Sequence, residues 1–241
     1  MIEKTEALVI SSRKFGDSSK IINVFSIDYG KLSFLAKGAR NQKNKFGASL
    51  EPLTHSQFTF YNKPNHELLL LSGSDIIKSY SSLSQHPDHF VIGMMIAESI
   101  YTTQDTRMPN RDIFNIFLNS LNKLYLKTTQ PFGIFSYFMF RLSEILGFQF
   151  EIDQNEFSSR SEVTLNIIDG KIIDNYQIDQ KNIFTFSEAE INYFYNVNYG
   201  KDAITIEINK KEISHIYDFW VKYFSFHLER KFSLKSAGLF I

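Results

Sequence analysis

The sequence predicts an α+β protein of several small domains: an antiparallel β-barrel, then a helical bundle, then a small mixed module. Three observations predict this order. Short β-like runs separated by glycine fill residues 1–80, apolar residues recur at helical spacing over residues 81–147, and residues 148–241 combine a hairpin signal with two helices. A chain of 241 residues is also close to the size at which one core divides into domains. We therefore expect three domains with these ranges.

Five short strands are predicted in the first domain. Each is rich in β-branched or aromatic residues and is bounded by turn residues, as at Asp28-Tyr29-Gly30-Lys31. The predicted strands are residues 6–11, 20–27, 32–36, 57–61 and 67–71. Five strands of this length are typical of the oligonucleotide/oligosaccharide-binding barrel, the OB-fold. The first domain is therefore predicted to be an OB-fold barrel.

Three helices are predicted in the second domain, over residues 89–101, 111–126 and 132–146. Asn110 is a suitable N-cap for the second helix, Pro131 suits the first position of the third, and Gly147 follows its last turn. The third helix is apolar on nearly every side, so we expect it to be the central helix of the bundle.

The last domain begins with a hairpin signal. Residues 163–168 and 171–173 are β-like and are joined across Asp169-Gly170. Ser187 and Glu190 form a capping box, which predicts a helix from there to about residue 197. A final helix is predicted over residues 212–230 and is expected to pack back on the bundle.

The composition excludes several classes of protein. The chain has no cysteine, so a disulfide framework, a thiolate nucleophile and a cysteine-ligated zinc are all impossible. We expect no signal peptide in the first ten residues, because they contain acidic side chains and alternate in polarity. The longest uncharged stretch, residues 128–140, is shorter than the roughly 18 to 20 residues that span a bilayer. We expect a cytoplasmic protein without a membrane segment.

Charge is distributed unevenly along a chain whose formal net charge is zero. The three predicted domains carry +4, 0 and −4, and residues 1–50 hold nine basic and four acidic side chains. Residues 29–47 contain five basic residues and no acid, which indicates an anion-binding loop in which Phe34 and Phe46 offer stacking faces to unpaired bases. A solvated surface loop above core phenylalanines explains the same composition equally well.

No catalytic constellation stands out. His86-Pro87-Asp88-His89 provides two imidazoles without a third ligand, a pattern more typical of a helix entry than of a metal site. Glu188 and Glu190 suit the first turn of a helix better than acid–base catalysis. Phosphate loops, dinucleotide fingerprints and nucleophile elbows are missing from the sequence. We expect a protein that is not an enzyme and that needs neither cofactor nor metal.

The N-terminal residues resemble those of a known family. The resemblance is carried by the segments Thr5-Glu6-Ala7-Leu8-Val9-Ile10-Ser11-Ser12-Arg13, Gly16-Asp17-Ser18-Ser19-Lys20, Tyr29-Gly30-Lys31, Ala36-Lys37-Gly38-Ala39-Arg40 and Gly47-Ala48-Ser49-Leu50-Glu51-Pro52. In order, spacing and distance from the start they resemble the N-terminal domain of RecO, the bacterial recombination mediator. The resemblance extends more weakly through Ile145-Leu146-Gly147-Phe148 and returns at Leu234-Lys235-Ser236.

The resemblance implies an OB-fold barrel, a helical domain and a third module that carries a four-cysteine zinc site in many members. This chain has no cysteine and therefore cannot form that four-cysteine zinc site. It further implies a cytoplasmic, nucleoid-associated DNA repair protein that binds single- and double-stranded DNA and anneals complementary strands. The implied protein partners are RecR, the C-terminal tail of the single-stranded DNA-binding protein SSB and, indirectly, RecA, which such proteins help to load on SSB-coated DNA.

Site residues follow from the same resemblance. The DNA-binding residues that it implies are Arg13, Lys14, Lys20, Lys31, Lys37, Arg40, Lys43 and Lys45. Arg141 is a candidate for binding the SSB tail, although a cation at the edge of an apolar helix is more often a snorkelling side chain. Two other functions stay open: an OB-fold RNA-binding protein or nucleic-acid chaperone without a role in recombination, and an enzyme acting on oligonucleotides or sugars.

Overall fold

A computed structural model describes residues 1–63, 65–127, 130–150, 161–173, 180–199 and 208–241. The chain divides into two compact units, residues 1–126 and residues 127–241. The three-domain division predicted from the sequence stays a prediction. None of the helices in the described ranges has the length and apolarity needed to cross a membrane.

The first unit begins with a closed barrel of five strands in the order β1-β2-β3-β5-β4. The strands are β1 (Ile2–Phe15), β2 (Ser19–Ser26), β3 (Gly30–Ala36), β4 (His55–Tyr61) and β5 (Leu68–Lys78). The predicted five-stranded OB-like barrel is confirmed, as is the mixed α+β class of the chain. Strands β1 and β5 are longer than predicted, because their ends lack the apolar runs on which the prediction relied.

Strand β1 pairs with one strand along its first half and with another along its second. It pairs with β4 over Ile2–Leu8 and with β2 over Ala7–Phe15, and a bulge lies between Val9 and Ser11. Bulges bend and twist a strand. Because β2 is paired with β3 as far as Lys20, Phe15–Ser19 is the part of this hairpin that extends beyond β3. We call residues 11–19 the hairpin arm.

The barrel core follows the alternation of side chains along its strands. Leu32, Phe34 and Ala36 on β3 point inward and are buried with residues of the other four strands. The rings of Phe34 and Phe58 stack with their centroids 5.6 Å apart. These apolar side chains fill the barrel interior, and the alternate side chains of each strand lie on the outer face of the barrel.

Two helices, α1 (Pro87–Thr103) and α2 (Arg111–Leu126), complete the first unit and pack against each other. The predicted cap of α2 is confirmed, because Asn110 Oδ1 accepts a hydrogen bond from the Ile113 N–H at 3.1 Å. The segment between the helices lies against the barrel at Gly30, where an added Cβ would sit 2.2 Å from the Met108 carbonyl oxygen. Gly30 also has a φ of +65°, so both space and backbone require glycine there.

The second unit combines three helices and a three-stranded sheet. Its elements are α3 (Pro131–Ile145), β6 (Glu162–Asn166), β7 (Lys171–Ile173), β8 (Ile183–Ser187), α4 (Glu188–Tyr199) and α5 (Lys210–His227). The antiparallel sheet has the order β7-β6-β8. The predicted hairpin, the capping box at Ser187 and Glu190, and the final helix are all present, whereas β8 was not predicted.

Helix α3 packs against α4 and α5 within the second unit. Its apolar circumference is covered by aromatic side chains of these helices, as where Phe132 stacks on Tyr193 and Phe135 lies beside Tyr217. Pro131 occupies its first turn and Gly147 follows its end with a φ of +84°, as predicted. The last helix, α5, therefore packs on α3, and α3 is a central helix of this unit; the predicted packing of the last helix on the whole bundle stays a prediction.

Candidate nucleic-acid interface

The loop after β3 closes the end of the barrel from which the hairpin arm extends. Ala39, Phe46 and Leu50 belong to the barrel core and are buried. Around these apolar anchors the loop carries Lys37, Arg40, Lys43 and Lys45, all of which are exposed. The loop is thus a fixed structure that displays cations at one end of the barrel.

Arg40 connects this loop to the hairpin arm. Its backbone N–H donates to the Ser18 carbonyl at 2.8 Å, and its Nη1 donates to the Gly16 carbonyl at 3.0 Å. Gly16 has a φ of +55°, which allows the tight turn that presents its carbonyl. A guanidinium has five N–H donors, so Arg40 retains donors for an anion beyond the one bonded to Gly16.

Strand register brings the other cations to the same end. Lys14 lies directly opposite Lys20, and Lys20 lies opposite Ala36, the residue before Lys37. We call the resulting group the basic rim. Its members are Arg13, Lys14, Lys20, Lys37, Arg40, Lys43 and Lys45. Seven of the eight DNA-binding residues predicted from the sequence therefore lie on one end of the barrel.

Lys20 has a nearby carboxylate. Its Nζ donates to Glu51 Oε1 at 2.8 Å, with 21% of the Lys20 side chain and 52% of the Glu51 side chain exposed. Exposed ion pairs of this kind are weak, at about 0 to 1 kcal/mol. A phosphate approaching Lys20 therefore competes with Glu51.

Lys31 lies apart from the rim. It is paired with Phe25 near the start of β3, whereas Lys37 follows the end of that strand, so roughly 16 Å separates Lys31 from Ala36 at 3.3 Å per residue. Lys31 Nζ donates to the Tyr101 carbonyl at 2.9 Å and lies 4.7 Å above the Tyr101 ring. These contacts connect β3 to α1.

The prediction that Phe34 and Phe46 offer stacking faces to bases is wrong. Phe34 is fully buried, and Phe46 is only 4% exposed within the barrel core. Phe34 lies at a position of β3 whose side chain points into the barrel, and Phe46 packs into the core at the end of the barrel. Lys45 Nζ lies 5.3 Å from the Phe46 ring centroid. The ammonium group therefore covers a ring face on which a base would have to stack.

Phe15 is an exposed aromatic residue that the sequence reasoning missed. It ends β1 at the tip of the hairpin arm, beside Lys14 and Gly16, and 46% of it is exposed. The available signal was its place directly before the Gly16-Asp17-Ser18 turn, where a side chain has few neighbours to pack against.

Arg141, the candidate for binding an SSB tail, lies on α3 in the second unit. It forms an ion pair with Glu144, one helical turn further on, and the two side chains are 41% and 37% exposed. Its role in partner binding stays a prediction.

The described residues do not fit a structural zinc site. The chain has no cysteine, and the described ranges contain no group of three or more histidine or acidic side chains placed to hold a metal. The Gly170 turn between β6 and β7 instead packs against aromatic residues: an added Cβ there would lie 3.0 Å from Tyr223 Oη and 3.1 Å from Phe150. Aromatic side chains therefore occupy the space beside this hairpin.

Two other groups of polar side chains lie at helix starts. His86 occupies the N-cap position of α1, although its side chain makes no capping hydrogen bond. Glu190 lines a surface groove of about 640 Å³ in the second unit. Its carboxylate accepts hydrogen bonds from the Ser187 backbone and hydroxyl and lies 2.7 Å from His215 Nδ1. These bonds stabilise the start of α4.

Comparison with known proteins agrees with this architecture. Residues 1–80 match the family model described as "Recombination protein O N terminal". Three relatives bear the name "DNA repair protein RecO". The protein of Salinibacter ruber is 30% identical over 173 residues, or 71% of this chain and 66% of that protein. Those of Thermodesulfovibrio yellowstonii and Prosthecochloris aestuarii are 32% and 27% identical over 60% and 64% of this chain, and over 57% and 58% of their own lengths.

The matched regions thus span about three fifths of the length of these curated relatives.

Proposed function

This chain belongs to the RecO family, whose N-terminal model its residues 1–80 match, and we propose that it is a DNA repair and recombination mediator. In this proposal it binds single- and double-stranded DNA through the basic rim and anneals complementary strands. It does so without covalent chemistry, in the cytoplasm. The observation that supports the proposal most is the basic rim itself.

The rim has the physical properties that annealing requires. Two strands that approach each other repel through their phosphates, and cations between them reduce that repulsion. Five of the seven rim residues are lysines, whose flexible side chains act as point charges without reading base edges. Contacts to phosphates alone carry no sequence information, so the bases stay available for pairing.

The finer parts of the proposal concern protein partners. We propose that the protein acts with RecR, binds the C-terminal tail of SSB and helps to load RecA on SSB-coated DNA. The relatives named DNA repair protein RecO support this assignment at the level of the family. Arg141 stays a candidate for the SSB tail, with Glu144 as the carboxylate that a tail would have to displace.

The test is a salt titration of binding to single-stranded DNA. Substitution of Lys37, Lys43 and Lys45 by alanine removes three exposed charges and leaves the Arg40 bonds to the hairpin arm in place. Each lost phosphate contact lowers the slope of log K against log salt by about 0.7, so the triple variant is expected to lower it by up to about 2. Affinity should fall for every sequence alike.

A matched control removes the same charge elsewhere. Lys4 and Lys63 are exposed at the other end of the barrel and Lys231 is exposed in the second unit, so alanine at these three positions should leave the slope unchanged. Equal slopes for the rim variant, the control and the unmodified protein would refute the rim as the DNA-binding surface.

A further inference from the structure

We propose that Phe15 stacks on an unpaired base and thereby gives the barrel a preference for single-stranded over double-stranded DNA. This inference rests on the proposed function and deepens it, because it assigns a base-contacting residue to a rim that otherwise contacts phosphates. It commits to one ligand class, the exposed bases of a single strand.

The first support is the position of Phe15. Among the described aromatic residues of the barrel strands, Phe15 and Tyr61 are the exposed ones, at 46% and 40%. Tyr61 pairs with Ile2 at the start of β1, whereas Phe15 ends that strand. Phe15 is therefore the exposed aromatic residue of these strands that lies next to the basic rim.

The second support is the way the tip is held. Phe15 pairs with Ser19 across the hairpin, and Arg40 bonds to the Gly16 and Ser18 carbonyls of the turn between them. A tip fixed in this way presents the ring without the ordering cost of a mobile loop. Arg40 therefore both holds the turn next to Phe15 and contributes a positive charge to the basic rim.

The third support is the arrangement of charge around the ring. Residues two apart on a strand share a face, so Arg13 projects on the same side of β1 as Phe15. Lys14 projects on the other side, opposite Lys20. A nucleotide whose base lies on Phe15 would therefore have Arg13 on the same face of the strand, with Arg40 bonded to the adjacent turn.

The chemistry of stacking explains the expected preference. A base in a duplex is already stacked on its neighbours and paired, so its face is closed to a side chain, whereas an unpaired base offers its face to any aromatic ring. Stacking on a protein ring is worth about 1 to 3 kcal/mol per base, which corresponds to roughly 5- to 150-fold in affinity. It is also tolerant of sequence, as annealing requires.

The experiment compares three probes of about 20 nucleotides each: a thymidine oligomer, an abasic oligomer with the same phosphates, and a duplex. The intact chain should bind the thymidine oligomer at least about fivefold more tightly than the abasic one. Phe15→Leu should abolish that difference, and it should leave binding to the abasic oligomer and to the duplex unchanged.

Two further variants keep the result interpretable. Tyr61→Leu removes an equally exposed ring at the other end of the barrel and should behave as the intact chain does. Phe15→Trp should restore the preference, and its fluorescence should be quenched by the thymidine oligomer, since the single native tryptophan, Trp220, is fully buried. A merely structural role of Phe15 would produce no such quenching.

The outcomes separate the two claims. If Phe15→Leu binds the thymidine oligomer as tightly as the intact chain does, the inference is overturned while the proposed DNA binding stands. If the intact chain binds none of the three probes, the proposed function fails and the inference fails with it.

Discussion

Lys20 and Glu51 form an ion pair within the proposed DNA-binding surface. The Lys20 ammonium lies 2.8 Å from the Glu51 carboxylate, while its cross-strand neighbour is Lys14. The carboxylate therefore offsets repulsion between two lysines in the DNA-free protein. A phosphate has to replace it before Lys20 contributes fully to the rim.

Glu51→Gln is expected to tighten binding to single-stranded DNA. The exposed pair is worth at most about 1 kcal/mol, so we expect a gain of about two- to fivefold at low salt that shrinks as salt rises. Fluorescence anisotropy with a labelled oligomer measures it. Glu67→Gln, which removes an exposed acid from the β4–β5 loop, is the control and should change affinity little; equal effects of the two variants would contradict the role given to Glu51.

Residue chemistry predicted the cations of the rim better than the aromatic residues. Lysine and arginine are exposed almost regardless of context, so their count in residues 29–47 was enough to indicate a charged loop. Which aromatic is exposed depends on strand parity and on the bulge after Val9, neither of which the sequence displays. That is why Phe34 was expected at the surface and Phe15 was overlooked. The separation of Lys31 from the rim likewise depends on which end of β3 it occupies.

At the scale of elements, the small sheet of the second unit is held by aromatic packing. Phe219 on α5 is fully buried, and its ring centroid lies 4.8 Å from that of Phe186 and 5.3 Å from that of Phe184, both on β8. Phe150 contacts the same ring at 5.2 Å. Together these contacts provide an apolar core beside the β6–β7 hairpin.

Phe219→Ala is expected to lower the free energy of unfolding by about 3 to 5 kcal/mol, because it leaves a cavity among aromatic side chains. Thermal or urea unfolding measures the loss. Phe226→Ala on the same helix removes a ring that is 41% exposed and should cost much less. A chelator should leave the melting temperature of the intact chain unchanged, and a chelator effect comparable to that of Phe219→Ala would contradict a core held by aromatic packing alone.

Helices were easier to predict than the strands of this unit. The capping box at Ser187 and Glu190 and the proline and glycine around α3 are local signals, and each of them located a helix end. Strand β8 precedes α4 without a turn and pairs with β6 about 20 residues earlier in the chain, so its identity depends on a distant partner. The packing of α3 on α4 and α5 depends in the same way on tertiary contacts.

At the scale of the whole molecule, the zero net charge conceals a separation of charge along the chain. Residues 1–80 carry +4 and residues 148–241 carry −4. The positive charge is concentrated further, because seven cations gather at one end of the barrel. Electrostatic attraction of DNA should therefore be directed to the first unit, and the second unit should contribute little to affinity for phosphates.

The most direct test of the account is annealing of two complementary oligonucleotides, naked and coated with SSB, by the intact chain and by the Lys37, Lys43 and Lys45 triple-alanine variant. We expect the intact chain to anneal both substrates without nucleotide hydrolysis. The rim variant should anneal far more slowly, and the Lys4, Lys63 and Lys231 control should match the intact chain. Annealing by the rim variant at the rate of the intact chain, or no annealing by the intact chain on either substrate, would contradict the account.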